Sequence, residues 1–311
     1  MTDPARRAWA HVRSRHAADT PAGLLDDAPI TVHFHPDRLL ADGRTVAEHL
    51  ATEGRYRSQF ETGISNGGLT AHPGGDRDRW EHRLFGGAYT GTTRGRPVYG
   101  GLNLARHVDG ASPRFGSCHL VLAAHVLDRT TFSHGDSADA PDILGTADTF
   151  GRIWTALRAQ AAHTGTALGL TADGPDAWAA ALTMPRTEAG RALDDYVEAQ
   201  VHGGIDLRTD VVAVVADPAY RDTATEELLG RLAPTLRLHP GYVLDAGEFP
   251  ADLRGPHVPP LAREVAATYG TDAIDAAVLG RAARHAHRDP RRLQHLKHLW
   301  HILVLRGHPA R

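Results

Sequence analysis

The segment from Asp194 to Pro218, DDYVEAQVHGGIDLRTDVVAVVADP, constrains this chain more than any other. Val197, Ala199 and Val201 alternate with Glu198, Gln200 and His202, and a period of two marks a β-strand whose successive side chains point to opposite faces. One face is then apolar, and the other presents a carboxylate, an amide and an imidazole in a row. VVAVVA follows as a second, almost wholly apolar strand. The polar row reads either as a site or as the wet side of a half-exposed edge strand.

The rest of the composition narrows the class. With 311 residues the chain fits one large or two small domains, and 41% hydrophobic with 23% charged residues is ordinary for a soluble globular protein. Lys and Arg number 34 against 37 Asp and Glu, for a formal charge of -3, so no global charge points to nucleic acid or an anionic membrane. No run approaches the roughly 18 apolar residues of a membrane span, and MTDPARRAWAHVRSRHAADT lacks the apolar centre of a signal peptide. The expectation is a cytoplasmic protein with no membrane partner. One cysteine, Cys118, excludes an internal disulfide framework and any multi-cysteine metal site, and is expected in the core.

Along the chain, 1–29 reads as an amphipathic helix over 4–18 and a proline-marked linker, 30–250 as an α+β core, and 251–311 as a helical C-terminal segment packed on that core. Ile30 to His35, ITVHFH, is a short strand stopped by Pro36, and Thr45 to Thr52 is a helix ended at Gly54. The stretch 56–99 is dense in glycine, polar and aromatic residues, a composition of loops and short strands at a binding surface. CHLVLAAHVL gives strand signals, 150–162 and 174–184 are helix-like, and 223–232 is helical. The tail helix from Asp289 to Arg306 opens on an Asp-Pro cap and carries Leu293, Leu296, Leu299, Ile302 and Leu303 as its apolar stripe. His295, His298 and His301 on that helix read as a polar flank.

Several constellations carry candidate chemistry. His33 and His35, two apart on a strand, share one face and end at a loop, where His35 can bond a ligand hydroxyl or be satisfied by neighbouring backbone. QFETGISNGG at 59–68 offers an amide, hydroxyls and glycines that let the main chain approach a phosphate or ribose, or make an ordinary turn. Arg77, Arg79, Arg83, Arg94 and Arg96 surround Trp80, Phe85 and Tyr89, as a pyrophosphate site beside a base or a solvated basic loop would. No G-x-S-x-G elbow is present, which argues against a serine triad. His33, His35, His119, Asp136, His202 and His239 are metal-capable types, but no H-E-x-x-H spacing occurs, so no metal ligand is assigned.

The blocks VHFHPDR (32–38), YRSQFETGISNGG (56–68), RDRWEHRLFGGAY (77–89), RPVYGGLNL (96–104), RFGSCHLVL (114–122) and EAQVHGGIDL (198–207) resemble the bacterial family catalogued as domain of unknown function 3626. More distantly, a strand ending in His, a glycine-rich middle, and a late Glu-bearing strand followed by an apolar strand resemble the ADP-ribosyltransferase fold. That resemblance implies an α+β fold with a split mixed or antiparallel sheet, flanking helices and a helical C-terminal tail. It also implies NAD as substrate, with transfer of its ADP-ribosyl group to an acceptor that is a protein, a nucleic acid or a small molecule.

Carried over residue by residue, Glu198 would stabilise the oxocarbenium-like transition state, His35 would hold the nicotinamide ribose and Tyr99 would stack on nicotinamide. The nucleotide would be held by His33, Arg38, Gln59, Thr62, Gly63, Ser65, Asn66, Gly67, Arg83, Gln200 and His202. Tyr196 stands where arginine-modifying members carry Glu or Gln, which argues against an arginine acceptor. Two alternatives stay open: a metal-dependent hydrolase using His33, His35 and Asp136 or His202, and a nucleotide-binding module without turnover.

Overall fold

In the computed structural model, which describes residues 1–63, 70–139 and 141–310, the alternating and β-branched runs become one eight-stranded sheet. In chain order its strands are β1 (Ile30–Phe34), β2 (Val98–Leu102), β3 (Cys118–Leu122), β4 (Thr130–His134), β5 (Leu144–Thr146), β6 (Val197–Val201), β7 (Val211–Ala216) and β8 (Leu236–Leu238). Their spatial order is β8, β7, β3, β1, β2, β6, β4, β5, and all neighbours are antiparallel except β7 and β8. The expected mixed α+β architecture, with flanking helices and a C-terminal helix, is what forms.

β6 is an interior strand, between β2 and β4, and all five of its residues are buried. Its polar row therefore meets other side chains where an edge strand would meet water. The main irregularity of the sheet lies beside it. β1 pairs with β3 from Thr31↔Val121 to Phe34↔Cys118, and β2 pairs with β6 from Val98↔Val201 to Leu102↔Val197. Between β1 and β2 only Ile30↔Leu102 and Thr31↔Gly101 are paired. Past Thr31 the two strands follow different partners, and the sheet splits. The strands still pass closely at the fork, because a Cβ on Gly100 would lie 2.5 Å from the Thr31 carbonyl oxygen.

The helices of eight residues or more are α1 (Asp3–Arg13), α2 (Val46–Glu53), α3 (Asp76–Leu84), α4 (Gly151–Thr164), α5 (Val258–Tyr269), α6 (Ala276–His285) and α7 (Pro290–Arg306). α2 starts at a Thr45–Glu48 capping box and stops at left-handed Gly54, as its sequence signals require. α7 is capped by Asp289 and carries Pro290 at its first turn, also as expected. Leu296, Leu299, Trp300, Ile302, Leu303 and Val304 are buried in the same apolar cluster as the sheet, each worth about 2 kcal/mol of burial. Trp300 Nε1 donates to the Pro113 carbonyl at 2.8 Å and fixes α7 against the turn before β3. α1 sets Ala8 and Val12 against Leu84, Phe85, Tyr89 and Leu144.

The loops expected over 56–99 are present only in part, since Asp76–Leu84 forms α3. Its buried stripe is Arg77, Glu81 and Leu84, at i, i+4 and i+7. Two of those three side chains are charged, so a search for apolar periodicity passes over the helix. Among the described residues no helix is long and apolar enough to cross a membrane.

Candidate functional site

The split in the sheet opens into a cavity of about 280 Å³. β1 lines it with His33 and Phe34, His35 follows directly after that strand, β2 adds Val98, Tyr99 and Gly100, and β6 adds Glu198. Arg77 and Trp80 of α3 complete one wall, and Arg38, Arg114 and Lys297 add cations. The fold thus brings His35, Tyr99 and Glu198, distant in sequence, into one cleft.

Glu198 is 5% exposed. Burial pushes its carboxyl up to about 7, the Asp136 carboxylate adds to the rise, and Gln200 and Arg77 oppose it. A chain of side chains fixes its position. Gln200 donates from Nε2 to Glu198 Oε1 at 2.9 Å and to Ser133 Oγ at 3.1 Å, and its own carbonyl accepts from the Thr131 hydroxyl at 2.8 Å. With the Thr131 proton so used, the 3.0 Å contact between Thr131 Oγ1 and His202 Nε2 needs the proton on the imidazole. His202 Nδ1 is then the acceptor for the Tyr89 hydroxyl at 2.7 Å. Burial, with Arg129 nearby, holds His202 down at about 3, so this neutral tautomer persists at ordinary pH. Every side-chain polar atom of Gln200 and His202 has a partner.

A second buried group anchors the opposite wall. Tyr99 donates to Glu81 Oε1 at 2.8 Å, and Arg96 Nη1 donates to Glu81 Oε2 at 2.8 Å. Burial raises the Glu81 carboxyl and the Tyr99 phenol, the latter well above its usual range. The Arg77 guanidinium carbon stands 4.3 Å from the Trp80 ring centre and 4.7 Å from that of Tyr99. Arg77 Nε and Nη1 are buried without a hydrogen-bond partner among the described residues. A desolvated guanidinium with spare donors in a cavity wall is a group that a ligand oxygen would satisfy.

His35 has its imidazole pushed down to about 3 by burial, then by Arg38, His33 and Lys297, and its ring meets Trp300 edge-on at 5.2 Å. It is therefore a neutral imidazole at ordinary pH, able to accept and to donate. His33 is held down at about 4, chiefly by burial, with Nδ1 3.2 Å from the Gly116 carbonyl and its ring 4.8 Å from that of His119. Gly110 lies against it at φ +79, where a Cβ would come within 2.4 Å of His33 Nε2.

Of the residues singled out from sequence, His33, His35, Arg38, Gln59, Thr62, Tyr99 and Glu198 line the cavity. Ser65, Asn66 and Gly67 lie outside the described residues. Gly63 is not in the lining; it is the left-handed cap of the short helix Gln59–Thr62, at φ 66. Arg83 is exposed and off the cleft, because the helical phase that turns Arg77 and Glu81 inward turns it to solvent. Gln200 and His202 are fully buried and off the cleft as well, Gln200 holding Glu198 and His202 closing the relay. Tyr99 has Arg77 as its stacking partner, and its hydroxyl is committed to Glu81.

Among the described residues no three His, Cys, Asp or Glu side chains are arranged to hold a metal ion. His202 is in the relay and outside the cavity, which separates it from His33, His35 and Asp136. Sequence reasoning had Arg77 and Trp80 in its basic, aromatic stretch but no means of choosing them. The inward phase of α3 was the missing signal. Arg114 and Lys297 arrive from a turn and from α7, through packing that no local pattern encodes.

The fold and the site define a mixed α+β protein with a cleft in a split sheet that holds the buried Glu198 carboxyl. The chain belongs to the family described as protein of unknown function (DUF3626), whose model matches residues 29–305. That span contains all eight strands and each cleft residue named above. No curated protein matches the chain.

Proposed function

We propose that this protein cleaves the nicotinamide–ribose bond of NAD and transfers the ADP-ribosyl group to an acceptor, with Glu198 as the catalytic carboxylate. The supporting observation is the pairing of one positioned carboxylate with an unsatisfied guanidinium, that of Arg77, in a cleft also lined by neutral His35.

The chemistry suits those groups. As the C1′–N bond breaks, nicotinamide leaves with the bonding electron pair and positive charge develops on the ribose. The Glu198 carboxylate, fixed by Gln200, stabilises that charge without the reorganisation that water would need. The acceptor's nucleophilic atom then bonds to C1′ and gives up its proton. His35 bonds ribose hydroxyls as a neutral imidazole, and Arg77 bonds an oxygen of the ligand. Glu198 must be ionised to act, so cleavage requires pH near or above 7.

The test follows thermal stabilisation by NAD and nicotinamide release in the same samples, for wild type and Glu198→Gln. The expected result is stabilisation of both proteins, with release at least ~100-fold slower in the variant, the scale of losing one electrostatic stabiliser. Equal release from the two would remove Glu198 from catalysis. Stabilisation without release from wild type would instead indicate a nucleotide-binding module.

A further inference from the structure

Arg77 shares its spare hydrogen-bonding capacity with two neighbours in the cleft lining. Gln59 Oε1 and Trp80 Nε1 are also buried without a hydrogen-bond partner among the described residues, and both residues line the same cavity. The fold sets the three on one wall. Trp80 follows Arg77 by three residues on α3, with the Arg77 guanidinium carbon 4.3 Å from its ring centre. Phe60, next to Gln59, has the Arg96 guanidinium carbon 3.9 Å from its own ring centre, and Arg96 Nη1 donates at 2.8 Å to Glu81, one turn along α3 from Arg77. The short helix Gln59–Thr62, opened by a Ser58–Glu61 capping box, is thereby pinned beside α3.

Arg77 and Trp80 supply donors, and Gln59 supplies one acceptor. Folded proteins leave few buried polar atoms unpaired, and each one costs stability, so an unpaired set in the wall of one cavity describes the ligand that completes it. Such a ligand presents an oxygen to Arg77 and Trp80 and an N–H to Gln59. A primary carboxamide carries both on one planar group. A carboxylate carries no N–H and would set a second acceptor against Gln59 Oε1. Nor does the wall call for an anion, because Arg77 already acts on the Glu81 and Glu198 carboxyls, and Asp136 lines the same cleft.

We propose that Gln59, Arg77 and Trp80 determine specificity in the cleft by recognising an aromatic primary carboxamide in preference to the corresponding acid; this rests on the NAD reading above, in which that carboxamide belongs to the leaving group. Arg77 stands 4.7 Å from the ring centre of Tyr99, and Tyr99 lies on β2, the strand paired with the Glu198 strand β6. A ring held on this wall is therefore on the Glu198 side of the cleft. The wall selects the dinucleotide that carries the amide over the one that carries the acid, and free nicotinamide competes with NAD after cleavage.

The probes are nicotinamide, benzamide and nicotinate, each titrated calorimetrically into the full chain. Benzamide keeps the carboxamide and loses the ring nitrogen, whereas nicotinate keeps the ring nitrogen and loses the amide. On wild type both amides bind, and nicotinate binds ~10-fold or more weakly, because a site built to pair an N–H rejects the analogue that lacks it. Gln59→Leu, which removes the acceptor at similar size, weakens both amides by ~10-fold or more and leaves nicotinate no weaker; the retained nicotinate affinity shows that the variant is folded. Nicotinate binding as tightly as nicotinamide on wild type, an amide preference intact in Gln59→Leu, or no binding of either amide would overturn the proposal. Its failure is separable from failure of the NAD reading. If wild type releases nicotinamide from NAD and Gln59→Leu does so at the wild-type KM, the carboxamide assignment fails and the cleavage reading stands. If amide binding depends on Gln59 while NAD is never cleaved, the recognition stands without the reaction.

Discussion

Glu198 is the residue whose environment makes the most quantitative demand. Burial and Asp136 raise its carboxyl from an ordinary 4.5 to about 7. Between those values the folded protein holds a proton that the unfolded chain has released, so stability falls as pH rises through that window. Each pKa unit is worth about 1.4 kcal/mol, which makes the loss about 3 kcal/mol once the pH exceeds 7. Glu198→Gln keeps the shape and the oxygen that accepts from Gln200, at 2.9 Å in the wild type, but cannot ionise. Urea denaturation of both proteins at about pH 4 and about pH 8 isolates the effect, because other titrating groups cancel in the double difference. The variant should gain about 3 kcal/mol on the wild type between the two conditions. A double difference near zero would mean that the carboxyl titrates at its ordinary value. One of opposite sign would mean that the fold favours the ionised form. Either would refute the burial argument, and with it the view that the protein keeps a destabilising carboxylate for its chemistry.

Three further outcomes follow from the same geometry. Arg96→Ala leaves Glu81 charged and buried without its 2.8 Å partner, so the protein should lose about 3–5 kcal/mol in chemical denaturation; a loss below about 1 kcal/mol would contradict the buried pair. Tyr99→Phe removes the hydroxyl that donates to Glu81 and should cost about 1–3 kcal/mol by the same assay, whereas a neutral result would mean that water replaces the hydroxyl. Nicotinamide release by wild type should rise with pH and level off above about 7, as the ionised carboxylate accumulates; a profile flat from pH 5 to 9 would contradict that role.

How much of this was legible in the sequence depends on how local the signal is. The alternation of Val197 to His202, the apolar run of β7, the Thr45–Glu48 box with Gly54, and the Asp289-Pro290 start of α7 are fixed by neighbours in the chain, and each formed as read. α3 escaped because its buried face is Arg77 and Glu81, which find partners far along the chain instead of showing an apolar stripe. Gln200 and His202 were recognised as polar neighbours of Glu198, but whether a row lines a cleft or closes on itself depends on β4 and on Tyr89, which supply Thr131, Ser133 and the last hydroxyl. The split between β1 and β2 is a matter of register among four strands, and Lys297 reaches the cleft from α7; neither has a local pattern.

The central claim is that NAD lies in the cleft with its nicotinamide ribose against Glu198. A crystal structure of Glu198→Gln soaked with NAD tests it most directly, since the variant is expected to bind NAD and to cleave it at least ~100-fold more slowly. The account expects the ribose C1′ beside position 198 and Arg77 bonded to a ligand oxygen. A dinucleotide bound away from the split in the sheet, or a cleft without ligand at saturating NAD, would contradict it.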